Sequence, residues 1–160
     1  MNGLGKILIV DDHAEMQAMM LRFLEPLGHA VSSALDGQQA MRLLESEDFN
    51  VVLLDLMLPD ISGMDIFKYI REVRPETEVI VLTAFASIES AVEALRLGAY
   101  DYITKPCRAA AIRSVVGRAF EKQHLLARLA AIHDLSRELA LSLDVAHVAE
   151  TVLDLSLIHI

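Results

Sequence analysis

Four short apolar runs each stop at a residue that can do chemistry. Ile7–Val10 meets Asp11-Asp12, Val51–Leu54 meets Asp55, Val79–Leu82 meets Thr83, and Tyr100–Ile103 meets Thr104-Lys105-Pro106. Three carboxylates, a hydroxyl and an ammonium can together hold a divalent cation and a phosphoryl group. Adjacent carboxylates repel each other unless a cation joins them. Mg2+ suits them, because it takes a few carboxylates with waters and phosphate oxygens. In that scheme Asp12 is the direct ligand, Asp11 acts mostly through water, and Asp55 serves as ligand and nucleophile. A carboxylate that attacks phosphorus gives an acyl phosphate, and the metal neutralises the charge that builds up. Lys105 adds a mobile point charge for the phosphoryl oxygens. Thr83 adds one hydroxyl donor. Pro106 would aim the lysine if the Lys105–Pro106 bond is cis, an isomer that proline makes accessible.

Apolar runs of this length between helical stretches read as buried parallel strands. Ligands gather at the carboxyl ends of such strands. Strands are expected at Lys6–Asp11, Ala30–Ala34, Asn50–Asp55, Glu78–Thr83 and Tyr100–Ile103, with the alternation in Ala30–Ala34 marking an edge. A first helix is expected over His13–Leu27, with Met16, Met20, Phe23 and Leu27 on one face and Gly28 ending it. Asp36 should cap the second, which buries Ala40, Leu43 and Leu44. Ser62 and Asp65 resemble a capping box that opens a third, running to about Val73. Ser87 should cap a fourth, with Ala91 and Leu95 inward and Gly98 past its end. The fifth starts at Arg108 and turns Ile112, Val115, Val116, Ala119 and Phe120 inward. Alternating strands and helices give a doubly wound α/β fold, a five-stranded parallel sheet with helices on both faces.

Composition narrows the function. The chain has 160 residues, 54% of them hydrophobic, which supports one domain with a real core plus an appendage. No apolar run approaches the ~20 residues of a membrane span, and the first residues lack a signal-peptide core. One cysteine rules out an internal disulfide, so a cytoplasmic protein is expected. The net charge of −9 argues against broad nucleic-acid binding by this chain, which would need clustered Lys and Arg.

Residues 5–122 resemble the receiver domain of two-component response regulators. The matching pieces are Ile9-Val10-Asp11-Asp12, Leu53 to Asp60, Gly63, Leu82-Thr83-Ala84, and Gly98 to Pro106. All of them stand in order and at the family's spacing. The resemblance implies a flavodoxin-like strand order, 2-1-3-4-5. It implies that Asp55 takes a phosphoryl group from a sensor histidine kinase. It further implies Mg2+ held by Asp12, Asp55 and the backbone carbonyl of Met57. Thr83 and Tyr102 would be a coupled switch pair that repacks the face of the fourth helix, fifth strand and fifth helix. Such a domain signals to an output module and is not an enzyme in its own right. Cys107 departs from the family, which usually has an apolar aromatic there. Met57 and Phe85 stand two residues beyond Asp55 and Thr83, where family members tune hydrolysis. Neither can orient water, so a long-lived phosphoryl group is expected.

Three rivals fit less well. An Asp-nucleophile phosphohydrolase would need an acid two positions after Asp55, where Met57 stands. A flavin module would need a hydroxyl- and glycine-rich loop where Asp11-Asp12-His13-Ala14 stands. A constitutive interaction domain would have no use for the intact acidic set. Among the neighbouring residues, His13 is expected at the surface beside the acidic pocket, and Cys107 as a half-buried apolar residue.

Beyond residue 122 the pattern changes. Leu125, Leu129, Ile132, Leu135 and Leu139 keep helical spacing, as an exposed apolar stripe on a helix leaving the domain. A second helix is expected after Asp144, along Val145, Val148, Val152 and Leu155. The stripe would meet a missing output domain or a second copy. The stretch 130–153 is similar to the opening helices of a GAF sensory domain, and 123–154 reads as a helical linker into such a module. Ile132–Arg137 faintly resembles a kinase phosphoacceptor box but lacks its proline, so His133 reads as a solvent-facing helical residue. The codons CTG TCT CTT ATA CAC ATC encode Leu155–Ile160 and resemble the end of a transposon sequencing adapter. Residues 155–160 are therefore expected to be an artefact.

Overall fold

Side chains alternate along a strand, so each strand of a sheet covered on both faces feeds two cores. The computed structural model describes residues 4–84 and 88–158. Its strands are β1 (Lys6–Val10), β2 (Ala30–Ala34), β3 (Val51–Asp55), β4 (Glu78–Thr83) and β5 (Asp101–Thr104). They form one parallel sheet in the order β2-β1-β3-β4-β5. The helices are α1 (Ala14–Leu24), α2 (Gly37–Ser46), α3 (Gly63–Val73), α4 (Ile88–Arg96) and α5 (Ala109–Ile158). Ile7, Ile9, Leu53 and Leu82 meet Met20 and Leu24 of α1 and Ile112, Val116 and Phe120 of α5. Leu8, Val10, Leu54 and Val81 meet Leu44 of α2, Ile66, Phe67 and Ile70 of α3, and Ala94 of α4. The doubly wound sheet and its strand order are as expected.

Several details differ from the expectations. The first helix ends at Leu24, and Glu25–Leu27 tightens into a 3-10 turn. Pro26 lacks the amide that would continue the ladder, and Gly28 closes the turn at φ +73°. Asp36 does cap α2, accepting from the Gln39 amide at 2.7 Å. Leu43 is only half-buried beside buried Ala40 and Leu44. The Ser62 hydroxyl accepts from Met64, the second residue of α3, and not from Asp65 as a capping box requires.

On α4 the inward residue is Ala94, fully buried, while Leu95 is 53% exposed. One residue is about 100° around a helix. The rotation of α4 is pinned at its end, where Ala99 donates to the Ala94 carbonyl and Gly98 to that of Leu95. This is a Schellman arrangement, and Gly98 takes the left-handed φ of +88° that it needs. Ser87 and Phe85 lie outside the described residues. The fifth strand begins one residue late, at Asp101, although the Tyr100 amide already donates to Val79.

The chain divides into two compact units, Met1–Gln123 and His124–Ile160. Within the first, the Lys122 ammonium meets buried Glu78 at 2.6 Å. The Gln123 amide nitrogen donates to the carbonyls of Asn50 and Glu76. These contacts tie that part of α5 to the amino ends of β3 and β4. The second unit is entirely helical as far as it is described, because α5 continues to Ile158. No new helix starts after Asp144, since no Gly or Pro between residues 118 and 158 interrupts the i to i−4 ladder. Within this unit Leu125, Leu129, Ile132, Leu135 and Leu139 are exposed, as are Val145, Val148, Val152 and Leu155. No helix among the described residues is long and apolar enough to cross a membrane.

Phe67 is among the largest fully buried side chains. Phe67→Ala is expected to cost about 3–5 kcal/mol, read as a lower urea midpoint at unchanged slope.

Candidate functional site

Three strand ends converge because β1 and β3 are neighbours and β5 lies one strand beyond β4. Asp11, one residue past β1, is completely buried, and Asp55, the last residue of β3, is 4% exposed. Two buried carboxylates this close require a cation. The Lys105 ammonium supplies it, meeting Asp55 Oδ2 at 2.5 Å and also bonding to Asp11 Oδ2. The Lys105 amide donates to the Thr83 carbonyl at 2.8 Å, which continues the β4–β5 ladder and brings the lysine over the site. The Lys105–Pro106 bond is cis.

Asp12 and His13 form the exposed rim. His13 Nδ1 lies 2.8 Å from Asp12 Oδ1 and 3.3 Å from Asp11 Oδ1. The His13 amide donates to Asp11 Oδ1 at 2.9 Å. One ligand atom from each of Asp11, Asp12, His13 and Asp55 falls within a 4.8 Å span. The Asp cluster could therefore hold a divalent cation, and its oxygen-rich donors are those Mg2+ prefers. An open cleft of about 420 Å3 leads to it, lined by His13, Met16, Asp55, Met57, Ala84, Lys105 and Pro106.

Thr83 ends β4 and is 2% exposed. Tyr102 pairs with Val81 and packs on the same sheet face as Val81, the face to which alternation also assigns Thr83. The Tyr102 hydroxyl is buried and has no hydrogen-bond partner among the described residues. The Met57 amide donates to Asp55 Oδ1 at 2.9 Å, while its side chain is 65% exposed at the cleft mouth.

Other residues hold this geometry, and sequence reasoning had assigned them no role. Gln17 is buried, and its side-chain amide donates to the carbonyls of Asp11 and Ala34. It locks the turn after β1 to the end of β2. The available signal was a polar residue three positions before Met20 on an apolar helix face. Gly63 packs on the end of β3, where a Cβ would collide with the Asp55 carbonyl and Leu56 Cα. Asp60 reaches from the β3–α3 loop to the head of α2, where it accepts from the Gly37 and Gln38 amides, both at 2.8 Å. Desolvation opposes its charge, but those amides outweigh it and lower its pKa. The helix N-terminus offers these donors unpaired. Cys107 is buried. Burial pushes its thiol pKa up, Asp11 adds to the rise and the Lys105 charge opposes it, so it stays a neutral, small apolar residue.

The residues at 7–117 match the family model for the response regulator receiver domain. The chain is 35% identical over 130 residues to the alginate biosynthesis transcriptional regulatory protein AlgB of Pseudomonas aeruginosa, covering 81% of this chain and 29% of AlgB. It is 37% identical over 114 residues to the luminescence regulatory protein LuxO of Vibrio campbellii, covering 71% of this chain and 25% of LuxO. It superposes on the crystal structure of a CheY-like response regulator receiver domain protein from Methanospirillum hungatei with a TM-score of 0.73 and 31% identity, covering 76% of this chain and 98% of that one. A doubly wound parallel sheet in this strand order, with an acidic pocket at its carboxyl edge, is the CheY-like class of α/β domain. More particularly, the chain belongs to the response regulator receiver domain family of two-component systems. It spans 25–29% of the length of these two curated relatives.

Burial works against the charge on Lys105, but hydrogen bonds and attraction from Asp11 and Asp55 outweigh it and raise its pKa above 10.5. The folded state thus binds the proton more tightly than the unfolded chain. That stabilisation is complete below pH 10.5 and is lost as pH rises through the higher folded value. Urea unfolding across alkaline pH should show the loss in the wild type and a smaller one in Lys105→Met.

Proposed function

We propose that the chain is a phosphoacceptor: Asp55 takes a phosphoryl group from the phosphohistidine of a sensor kinase and thereby switches an output module. The supporting observation is the shared ammonium of Lys105, bonded to Asp55 beside a cluster of oxygen donors at an open cleft. Asp55 Oδ attacks phosphorus, an O–P bond forms, the P–N bond breaks, and the electron pair returns to the imidazole, which takes a proton. The product is an acyl phosphate. Mg2+, held by Asp12, Asp55 and the Met57 carbonyl with Asp11 acting through water, would neutralise the charge that gathers on the phosphoryl oxygens. Lys105 turns from the Asp55 carboxylate to a phosphoryl oxygen with little displacement, because only the phosphorus atom separates the two oxygens. The Met57 amide fixes the other Asp55 oxygen and so selects which one attacks.

Thr83 and Tyr102 are the proposed switch pair. The Thr83 hydroxyl moves towards the phosphoryl oxygens, and Tyr102 repacks in the space between α4 and β5. A buried hydroxyl without a partner, as Tyr102 is among the described residues, costs about 1–3 kcal/mol, which supports a Tyr102 that has more than one stable position. The readout surface is the face of α4, β5 and α5. Phosphorylation biases this two-state element and does not build a new one.

Residues 1–122 would be the receiver and 123–154 a signalling helix into a GAF-like output module, with pairing of two copies along the helix or the switch face. The short span relative to the regulators it matches supports an attached output.

Intact-protein mass after incubation with acetyl phosphate and Mg2+ tests the phosphoacceptor. One added phosphoryl group is expected in the wild type, abolished by chelator and absent in Asp55→Asn; no gain in the wild type would leave a docking domain. Met57 cannot orient an attacking water, so the phosphoryl group should be long-lived. Met57→Asn is expected to shorten its lifetime, followed by the same mass measurement over time, and an unchanged decay would refute that role.

A further inference from the structure

The rim of the acidic site carries a nitrogen donor besides its carboxylates. We propose that His13 is a further metal ligand, and that it biases the site from Mg2+ towards Mn2+ and later first-row divalent ions. This rests on Asp12 and Asp55 holding the cation, as proposed above.

The His13 ring already converges on the same oxygens. Its Nδ1 lies 2.8 Å from Asp12 Oδ1 and 3.3 Å from Asp11 Oδ1. An octahedral cation with ligands at about 2.1 Å separates neighbouring donors by about 3 Å and opposite ones by about 4 Å. The distance to Asp12, the direct ligand, matches neighbouring positions, and the 4.8 Å span that also takes in Asp55 needs only a small contraction. The backbone is held as well, because the His13 amide donates to Asp11 Oδ1. Carboxylates only accept, so at 2.8 Å Nδ1 donates to Asp12 Oδ1, and a bound cation would take that proton's place while the exposed ring keeps its other nitrogen in water.

An imidazole in this place discriminates between ions. Mg2+ is hard and dehydrates reluctantly, so nitrogen adds little to its binding. Affinity for a site with nitrogen rises from Mn2+ along the first row. A site of carboxylates and carbonyl alone would favour these ions less.

The test is Mn2+ binding followed by electron paramagnetic resonance, with Mg2+ as competitor, on the wild type, His13→Ala and Asp55→Asn. Pulsed measurements should show a nitrogen coupling on bound Mn2+ in the wild type that is absent in His13→Ala. The variant should lose roughly tenfold in Mn2+ affinity and keep its Mg2+ affinity within about twofold. Asp55→Asn should weaken both ions. Equal losses for the two ions in His13→Ala, or the same nitrogen coupling in both proteins, would overturn the role of His13 while leaving the carboxylate site intact. Failure of the wild type to bind either ion competitively would overturn the metal site itself and this inference with it.

Discussion

Asp11 and Asp55 are buried at neighbouring strand ends and share one ammonium, that of Lys105. Buried like charges at this separation are tolerable only with such a partner. The partner can arrive only if β5 ends beside β4, the chain turns at Lys105, and the lysine reaches back over the sheet. The rest of the architecture therefore serves the placement of three strand ends. The two cores fix the strands from both faces, and Gln17 ties the first of these ends to the edge strand. In the proposed reaction the same ammonium would meet the incoming phosphoryl oxygen, so one interaction would serve both folding and chemistry.

The loop after Asp55 shows how such a site is kept open without being loose. Gly63 allows the start of α3 to lie against the backbone of Asp55 and Leu56. Asp60 then anchors the loop to the amides at the head of α2, where Asp36 already caps the next free amide. Two carboxylates thus share one helix N-terminus, a favourable location for negative charge. The cleft mouth is left to Met57 and His13, which are exposed and replaceable without disturbing the core.

The helical unit from His124 onward has a different physical character. Its first part carries an apolar stripe, and from Leu139 the exposed apolar residues spread over several faces, Leu141, Leu143, Val145 and Val148 among them. A helix that is apolar all round is ordinarily buried in a larger assembly. The linker role proposed above rests on this composition.

Strands are legible in a sequence when they are short, apolar and stopped by polar residues. That is why β2 and β4 fall where their residues predict and the others shift by one. The strand-end positions of Asp11, Asp12, Asp55, Thr83 and Lys105 were legible for the same reason, because each ends such a run. The caps at Asp36 and Gly98 were legible because they depend on local backbone chemistry. The inward turn of Ala94 in place of Leu95 was not, since a helix's rotation is set by what it packs against. Nor were the roles of Gln17 and Asp60, whose partners are 6 to 23 residues away. The sequence by itself determined the class of fold and the identity of the chemical groups, because burial pattern and strand ends are local properties. Only the tertiary structure decided which carboxylates share the lysine and which residues brace them. Such contacts join strand ends and loops far apart along the chain.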